Sequence, residues 1–327
     1  MIISRTPFRI SFFGGGTDYP PWYRQNGGAV LSTSFDKYCY ITCRELPPFF
    51  EHKYRIAYSK VENTKSIRDI DHPAVRAVLG EMGFDHGLEV HCDADLPARS
   101  GLGSSSSFVV GLLHSLSALQ GRRVTKDWLA HEAIRIEQEV LRENVGSQDQ
   151  VVAAHGGFNV IHFHRDGSLK VEPLVVPMQR KQELNDHLML FFTGFSRISS
   201  EIAKAQVANI EKKSDELHRM RSMVDQGVEI LCDGHNLCSF GELLHSGWMH
   251  KRAMSDQVSN SSIDALYDTA RKAGAIGGKL LGAGGGGFIL MFVEPKKQSA
   301  VREALSDLIH VPFKFETAGS QVIYYQP

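Results

Sequence analysis

Residues 96–108 read LPARSGLGSSSSF, two glycines and five serines set directly before an apolar run. Upstream, LEVHCDADL (residues 88–96) alternates apolar and polar positions as a strand does. Downstream, Phe108, Leu112, Leu116 and Leu119 recur at helical spacing, Val109 and Leu113 widen the stripe, and Gly121 ends it. Gly/Ser-rich sequence alone reads as a flexible linker, because it cannot build a core. Between a strand and an amphipathic helix it reads as a turn that brings backbone close to a ligand. The first turn of a helix has N–H groups without intrahelical partners, and the helix dipole adds positive potential there. Gly101 and Gly103 permit positive φ and close approach, so the loop is shaped to cradle a phosphate. Serines at the helix start serve as N-caps, phosphate donors or metal ligands. The Walker pattern G-x-x-x-x-G-K-[ST] occurs nowhere; Gly278-Lys279-Leu280 comes nearest and lacks both the hydroxyl and the upstream glycine. This is a phosphate loop of another kind.

The rest of the chain supplies a fold to hold such a loop. Strand-like runs fall at 1–4, 9–13, 29–34, 38–44, 54–58, 88–94, 158–164 and 169–176, with helical patterns at 73–82, 105–119, 126–143 and 147–154. The strands cluster instead of alternating with helices, which predicts an α+β fold over a doubly wound sheet. After Met178 the character changes. A strand at 188–194 precedes helical sequence over 199–232, 237–250 and 263–273. A glycine run, a strand at 288–293, a helix near 298–308 and two closing strands follow. Helices on one face of interleaved strands suggest a ferredoxin-like sandwich. The expected domains are residues 1–180 and 181–327, with the boundary between Met178 and Asn185.

At 42% hydrophobic and 22% charged residues, the 327-residue chain can bury a sizeable core. A formal net charge of −1 gives no footprint for nucleic acid, so any affinity for anions is local. No apolar run is long enough to span a bilayer, and the start, MIISRTPFRISFF, carries Arg5 and Arg9 and does not resemble a signal peptide. Five sparse cysteines fit a reducing compartment, and buried thiols suit them better than metal ligation. These features predict a cytoplasmic protein without nucleic-acid or membrane partners.

Two further glycine-rich segments and two acids stand out. RISFFGGGTDYP (residues 9–20) puts three glycines after a strand, followed by Thr17 and Asp18, which reads either as a bulge or as a sugar-binding turn. KLLGAGGGGF (residues 279–288) has more glycine than a hairpin requires and implies close backbone approach to a ligand or another domain. In RIEQEVLRENVGSQDQ (residues 135–150), Glu137 lies on a helix, and Asp149 follows the break at Gly146 and the cap-like Ser147. Each acid alone reads as a solvated or first-turn residue. Placed after a phosphate loop, they also read as an Mg²⁺ ligand and a partner for a hydroxyl nucleophile.

Together these elements, in this order and over essentially the whole chain, resemble the GHMP kinase superfamily. PFRISFFGGGTDYP is similar to its first motif, LPARSGLGSSSS to its second and KLLGAGGGGF to its third. The resemblance implies a two-domain GHMP kinase fold, with a ribosomal-protein-S5-like N-terminal domain and a ferredoxin-like C-terminal domain. ATP and substrate would lie between them. It also implies that Gly101, Leu102, Gly103, Ser104, Ser105 and Ser106 wrap the ATP phosphates, and that Ser105 and Glu137 hold Mg²⁺. Asp149 would be the catalytic base and Arg9 its cationic partner, while Gly284 and Gly285 of the third motif would flank the substrate. Gly15, Gly16, Thr17 and Asp18 would bind the sugar.

Galactokinases carry a Glu-His pair where this chain has Gly15-Gly16. FFGGGTDYP, DKYCY, GSQDQ with AAHGGF, and TGFSRISSEI are together most similar to the bacterial D-glycero-D-manno-heptose 7-phosphate kinases. That branch implies phosphorylation of the anomeric hydroxyl to a 1,7-bisphosphate for GDP-heptose and surface polysaccharide. Lys37 and Arg197 are candidate clamps for the substrate phosphate. L-fucokinases, with a related glycine turn, are the nearest alternative, and a kinase-like sugar sensor without turnover is another. The expected partners are ATP and a sugar phosphate, with a homodimer left open.

Overall fold

The computed structural model describes residues 1–194 and 199–327. Its larger sheet is built on two long strands, β1 (Ile2–Phe13) and β2 (Gly28–Glu45), paired antiparallel along nearly their whole lengths. The four short strands expected at 1–4, 9–13, 29–34 and 38–44 are thus two. The ladder shifts register between Pro7 and Phe8 and between Ser11 and Phe13. Pro7 has no N–H to donate, so the strand bulges there without ending.

β2 is the central strand. On the edge away from β1, its first half pairs with β6 (Phe158–Phe163), its middle with β12 (Phe315–Glu316) and its second half with β5 (Leu88–Ala94). The hairpin of β3 (Tyr54–Ala57) and β4 (Val61–Thr64) extends the sheet beyond β5, and β7 (Leu169–Pro173) beyond β6. β13 (Gln321–Tyr325) covers the outer edge of β1. Helix α3 (Ser104–Leu119) packs across β1 and β2, with α4 (Lys126–Arg135) and α5 (Gln148–His155) against it. The one helix expected over 126–143 ends instead in a π-helical turn, Ile136–Val140. Two short helices, α1 (Pro20–Asn26) and α2 (Pro73–Glu81), both open on proline at the first turn, where a missing N–H costs nothing.

After α6 (Met178–Asp186), a second, four-stranded antiparallel sheet runs β11 (Ile309–Val311), β8 (Leu188–Phe192), β10 (Phe288–Phe292), β9 (Gly277–Leu280). Alternation along β10 divides its side chains. Ile289 and Met291 join a core with Trp248 and Tyr267, while Phe288, Leu290 and Phe292 join the larger core with Phe12 and Phe240. The helices of this half are α7 (Ser199–Ala208), α8 (Ser214–Cys232), α9 (Cys238–Arg252), α10 (Ser261–Lys272) and α11 (Gln298–Ala304). Because β12 and β13 return to the first sheet, a single cut at 180/181 does not separate the two sheets. Among the described residues no helix is long and apolar enough to cross a membrane.

Candidate active site

A cleft opens where the phosphate loop, the N-terminal glycine turn and the third glycine loop meet, at the seam between the two sheets. The phosphate loop feeds directly into α3. Gly103 is the N-cap with φ 76°, and Gly101 has φ 82°, both in the left-handed region that favours glycine. Space is as restrictive as conformation. A Cβ on Gly103 would stand 3.2 Å from Arg9 Cγ and 3.3 Å from Asp149 Oδ2. Ser104, Ser105 and Ser106 line the cleft. Leu102, expected to bind the nucleotide, points into the core instead, and its carbonyl accepts the Arg9 backbone N–H at 3.1 Å. An apolar side chain in mid-loop anchors the turn while the neighbouring Gly101 and Gly103 line the cleft.

Glu137 lies behind the serines on the π-helical turn, 1% exposed. Ser105 Oγ donates to one carboxylate oxygen at 2.8 Å, and Ser106 Oγ to the other at 2.7 Å, where Gln150 Nε2 also donates. Burial pushes this carboxyl up to about 7, against the pull of those three donors. π-turns inside helices recur at functional sites because the extra residue re-aims a side chain.

Opposite the loop, Asp149 in the first turn of α5 meets Arg9 of β1 in a bidentate pair. Nε reaches Oδ1 and Nη2 reaches Oδ2, each at 2.8 Å. Arg9 is buried, and its Nη1 donates to Gly101 O at 2.5 Å, tying the partner of Asp149 to the glycine-serine loop. Asp18 is also buried and faces the cleft. It accepts the Gly16 N–H at 2.9 Å and Gln148 Nε2 at 3.0 Å. Burial raises its carboxyl above the usual range, and the nearby Asp149 charge adds to that. Gly146 is required here, since a Cβ would lie 1.9 Å from Asp18 Oδ2.

Several expected residues sit elsewhere. Gly15 and Gly16 line the cleft, but Thr17 is fully buried, its hydroxyl 2.8 Å from Gly14 O and 2.9 Å from Ala29 O, so it braces the turn. Gly284 and Gly285 pack on Val258, and the cleft is lined by Gly282 and Ala283. Lys37 pairs with Asp36 at 3.3 Å and does not line the cleft, because the β2 backbone carries it to an adjacent carboxylate. Arg197 lies outside the described residues. The structure adds Ser11, Gln148, Lys251 and Lys279 to the cleft wall. Lys279 belongs to the third glycine-rich segment, where only the glycines stand out, and Lys251 lies just past the helical run expected over 237–250, with no distinguishing neighbour.

The GHMP kinases N terminal domain family matches residues 69–157, and the GHMP kinases C terminal family matches residues 230–310. A D-glycero-alpha-D-manno-heptose 7-phosphate kinase of Campylobacter jejuni is 28% identical over 315 residues, covering 93% of each chain. A mevalonate kinase of Pyrococcus horikoshii is 30% identical over 244 residues, 71% of this chain and 67% of that one. The crystal structure of a D-glycero-D-manno-heptose 1-phosphate kinase from Bacteroides thetaiotaomicron superposes with TM-score 0.82 over the full length of both chains, at 24% identity. The motifs, the two sheets and these matches have one reading: the chain belongs to the GHMP kinases and is a phosphotransferase.

Proposed function

We propose that the protein transfers the terminal phosphoryl group of ATP to the anomeric hydroxyl of a sugar in the cytoplasm, with D-glycero-D-manno-heptose 7-phosphate as the acceptor and a 1,7-bisphosphate as the product. One observation carries the chemistry. Asp149, paired bidentately with Arg9, stands immediately across from Gly103 at the start of α3, so base and phosphate loop face the same space. An anomeric hydroxyl placed there gives its proton to Asp149 as its oxygen takes the phosphoryl group. Arg9 orients Asp149 through the bidentate pair, and the helix N-terminus with its serine hydroxyls offsets charge on the phosphates. Asp18, presented by the glycine turn, is placed to hold sugar hydroxyls. Heptose is supported by similarity to the Campylobacter jejuni kinase across nearly all of both chains, and by Gly15-Gly16 where galactokinases have Glu-His.

The residues fit Mg²⁺. Glu137 and Ser105 are hard oxygen donors in contact with each other, and a buried carboxyl raised to about 7 gains from a neighbouring cation. Bound there, Mg²⁺ would neutralise charge on the phosphates of ATP. The test is ADP release from ATP across free sugars and sugar phosphates, with the product's phosphorus NMR spectrum. Turnover of heptose 7-phosphate to an anomeric phosphate is expected; turnover of L-fucose alone would give the fucokinase reading, and none with any sugar would reject a sugar kinase.

A further inference from the structure

Lys251 on α9 and Lys279 on β9 both line the cleft, yet are only 8% and 7% exposed. Lys279 Nζ donates to the carbonyls of Ser11 and Phe12, at 2.8 Å each. Lys251 Nζ donates to Leu280 O at 3.1 Å and to Gly282 O. An ammonium has three protons, so each lysine keeps one donor beyond its two carbonyls. Among the described residues neither ammonium is bonded to a carboxylate. A buried cation without a counter-charge is expensive, whereas Arg9 beside them is already matched by Asp149. Asp18 acts on both ammoniums, and Asp149 on Lys251, only through space, which leaves each lysine's third proton for a ligand in the cleft. A second observation points to the same place. The Ser11 hydroxyl, buried and lining the cleft, has no hydrogen-bond partner among the described residues.

We propose that Lys251, Lys279 and Ser11 form an anion site in the wall of the cleft that holds a phosphate group. Burial and repulsion from Arg9 hold Lys251 down at about 7, and burial with repulsion from Lys251 and Arg9 holds Lys279 well below the usual lysine range; an arriving dianion offsets both. The kinase reading supplies two sources for that group, the terminal phosphate of ATP and the phosphate carried by the sugar, and the site rests on that reading only for this choice.

Calorimetry on the intact chain separates them, using ADP, a non-hydrolysable ATP analogue, heptose 7-phosphate and unphosphorylated heptose. Lys251→Met and Lys279→Met should each weaken the ligand that uses the site by about 10- to 100-fold, with partial recovery in Lys251→Arg and Lys279→Arg. Loss for the ATP analogue but not for ADP assigns the terminal phosphate. Loss for heptose 7-phosphate but not for heptose assigns the sugar's own phosphate. Unchanged binding of all four ligands to folded variants overturns the site. Should the variants not fold, wild-type crystals soaked in tungstate decide it. Tungsten within about 4 Å of the two Nζ atoms supports the site, and tungsten confined to the serine loop overturns it. If tungstate binds the lysines but ATP phosphorylates no sugar, the anion site stands and the sugar-kinase reading falls.

Discussion

Asp149→Asn preserves side-chain volume and one acceptor for Arg9 while removing the carboxylate proposed to take the proton. Near-native binding of ATP and sugar is expected, with kcat lower by about 10²- to 10⁴-fold. Calorimetry and ADP release check the two halves, and retained turnover would move the proton to another acceptor. Glu137 gives a prediction in pH. Its carboxyl is raised from 4.5 to about 7, so the fold favours its neutral form. The stability this provides is complete below about pH 4.5 and is lost as pH rises through about 7. Glu137→Gln does not titrate. Thermal melts should therefore show the wild type losing up to about 3 kcal/mol relative to the variant between pH 5 and 8. Mg²⁺ should narrow the gap at pH 8, and parallel curves would mean that Glu137 does not titrate in this range. Lys251 runs the other way, its lowered value making it a gain as pH climbs from about 7, so the comparison must be between variant and parent.

Among the elements, the phosphate loop is the most sensitive to backbone conformation. Gly103→Val would place a β-branched residue at φ 76° and a Cβ against Arg9 and Asp149. ATP affinity should fall at least about 10-fold in a folded protein, since the left-handed conformation alone costs 1–2 kcal/mol. Unchanged affinity would remove the loop from the nucleotide site. This loop was legible in the sequence because positive φ and close approach leave glycine behind as a local trace. The apolar stripe of α3 and the alternation of β5 were legible for the same reason: each is written in near neighbours. The continuity of β1 through Pro7 was not, because its ladder is completed by β2. Nor was the π-turn that carries Glu137, whose carboxylate is held by Ser105 and Ser106 of α3, some thirty residues away. Lys251 and Lys279 were hidden most thoroughly. Lysine is ordinarily a surface residue, and only the fold shows that carbonyls from distant strands enclose these two. The glycine runs announced close approach without saying which glycines line the cleft, and it is Gly282, not Gly284, that does so.

At the scale of the molecule, the return of β13 to β1 closes the larger sheet. Its pairing, from Ile2 with Tyr325 to Arg5 with Gln321, ends short of Arg9. Deleting residues 321–327 should lower the melting temperature by roughly 5–10 °C while leaving ATP affinity at low temperature unchanged. A matching loss of affinity would show that the site depends on this edge. The two halves also meet backbone to backbone. A Cβ on Gly282 would stand 2.4 Å from Gly101 Cα, one on Gly101 2.5 Å from Leu281 O, and one on Gly287 2.1 Å from Ser100 O. In mutational terms, this seam behaves as a single inherited character spelled in two distant places. A saturation library selected for turnover should be depleted alike at Gly101, Gly282 and Gly287. No compensating change at the partner can rescue a side chain that collides with main chain, so a lineage can vary the surroundings of this contact but has no stepwise route out of it.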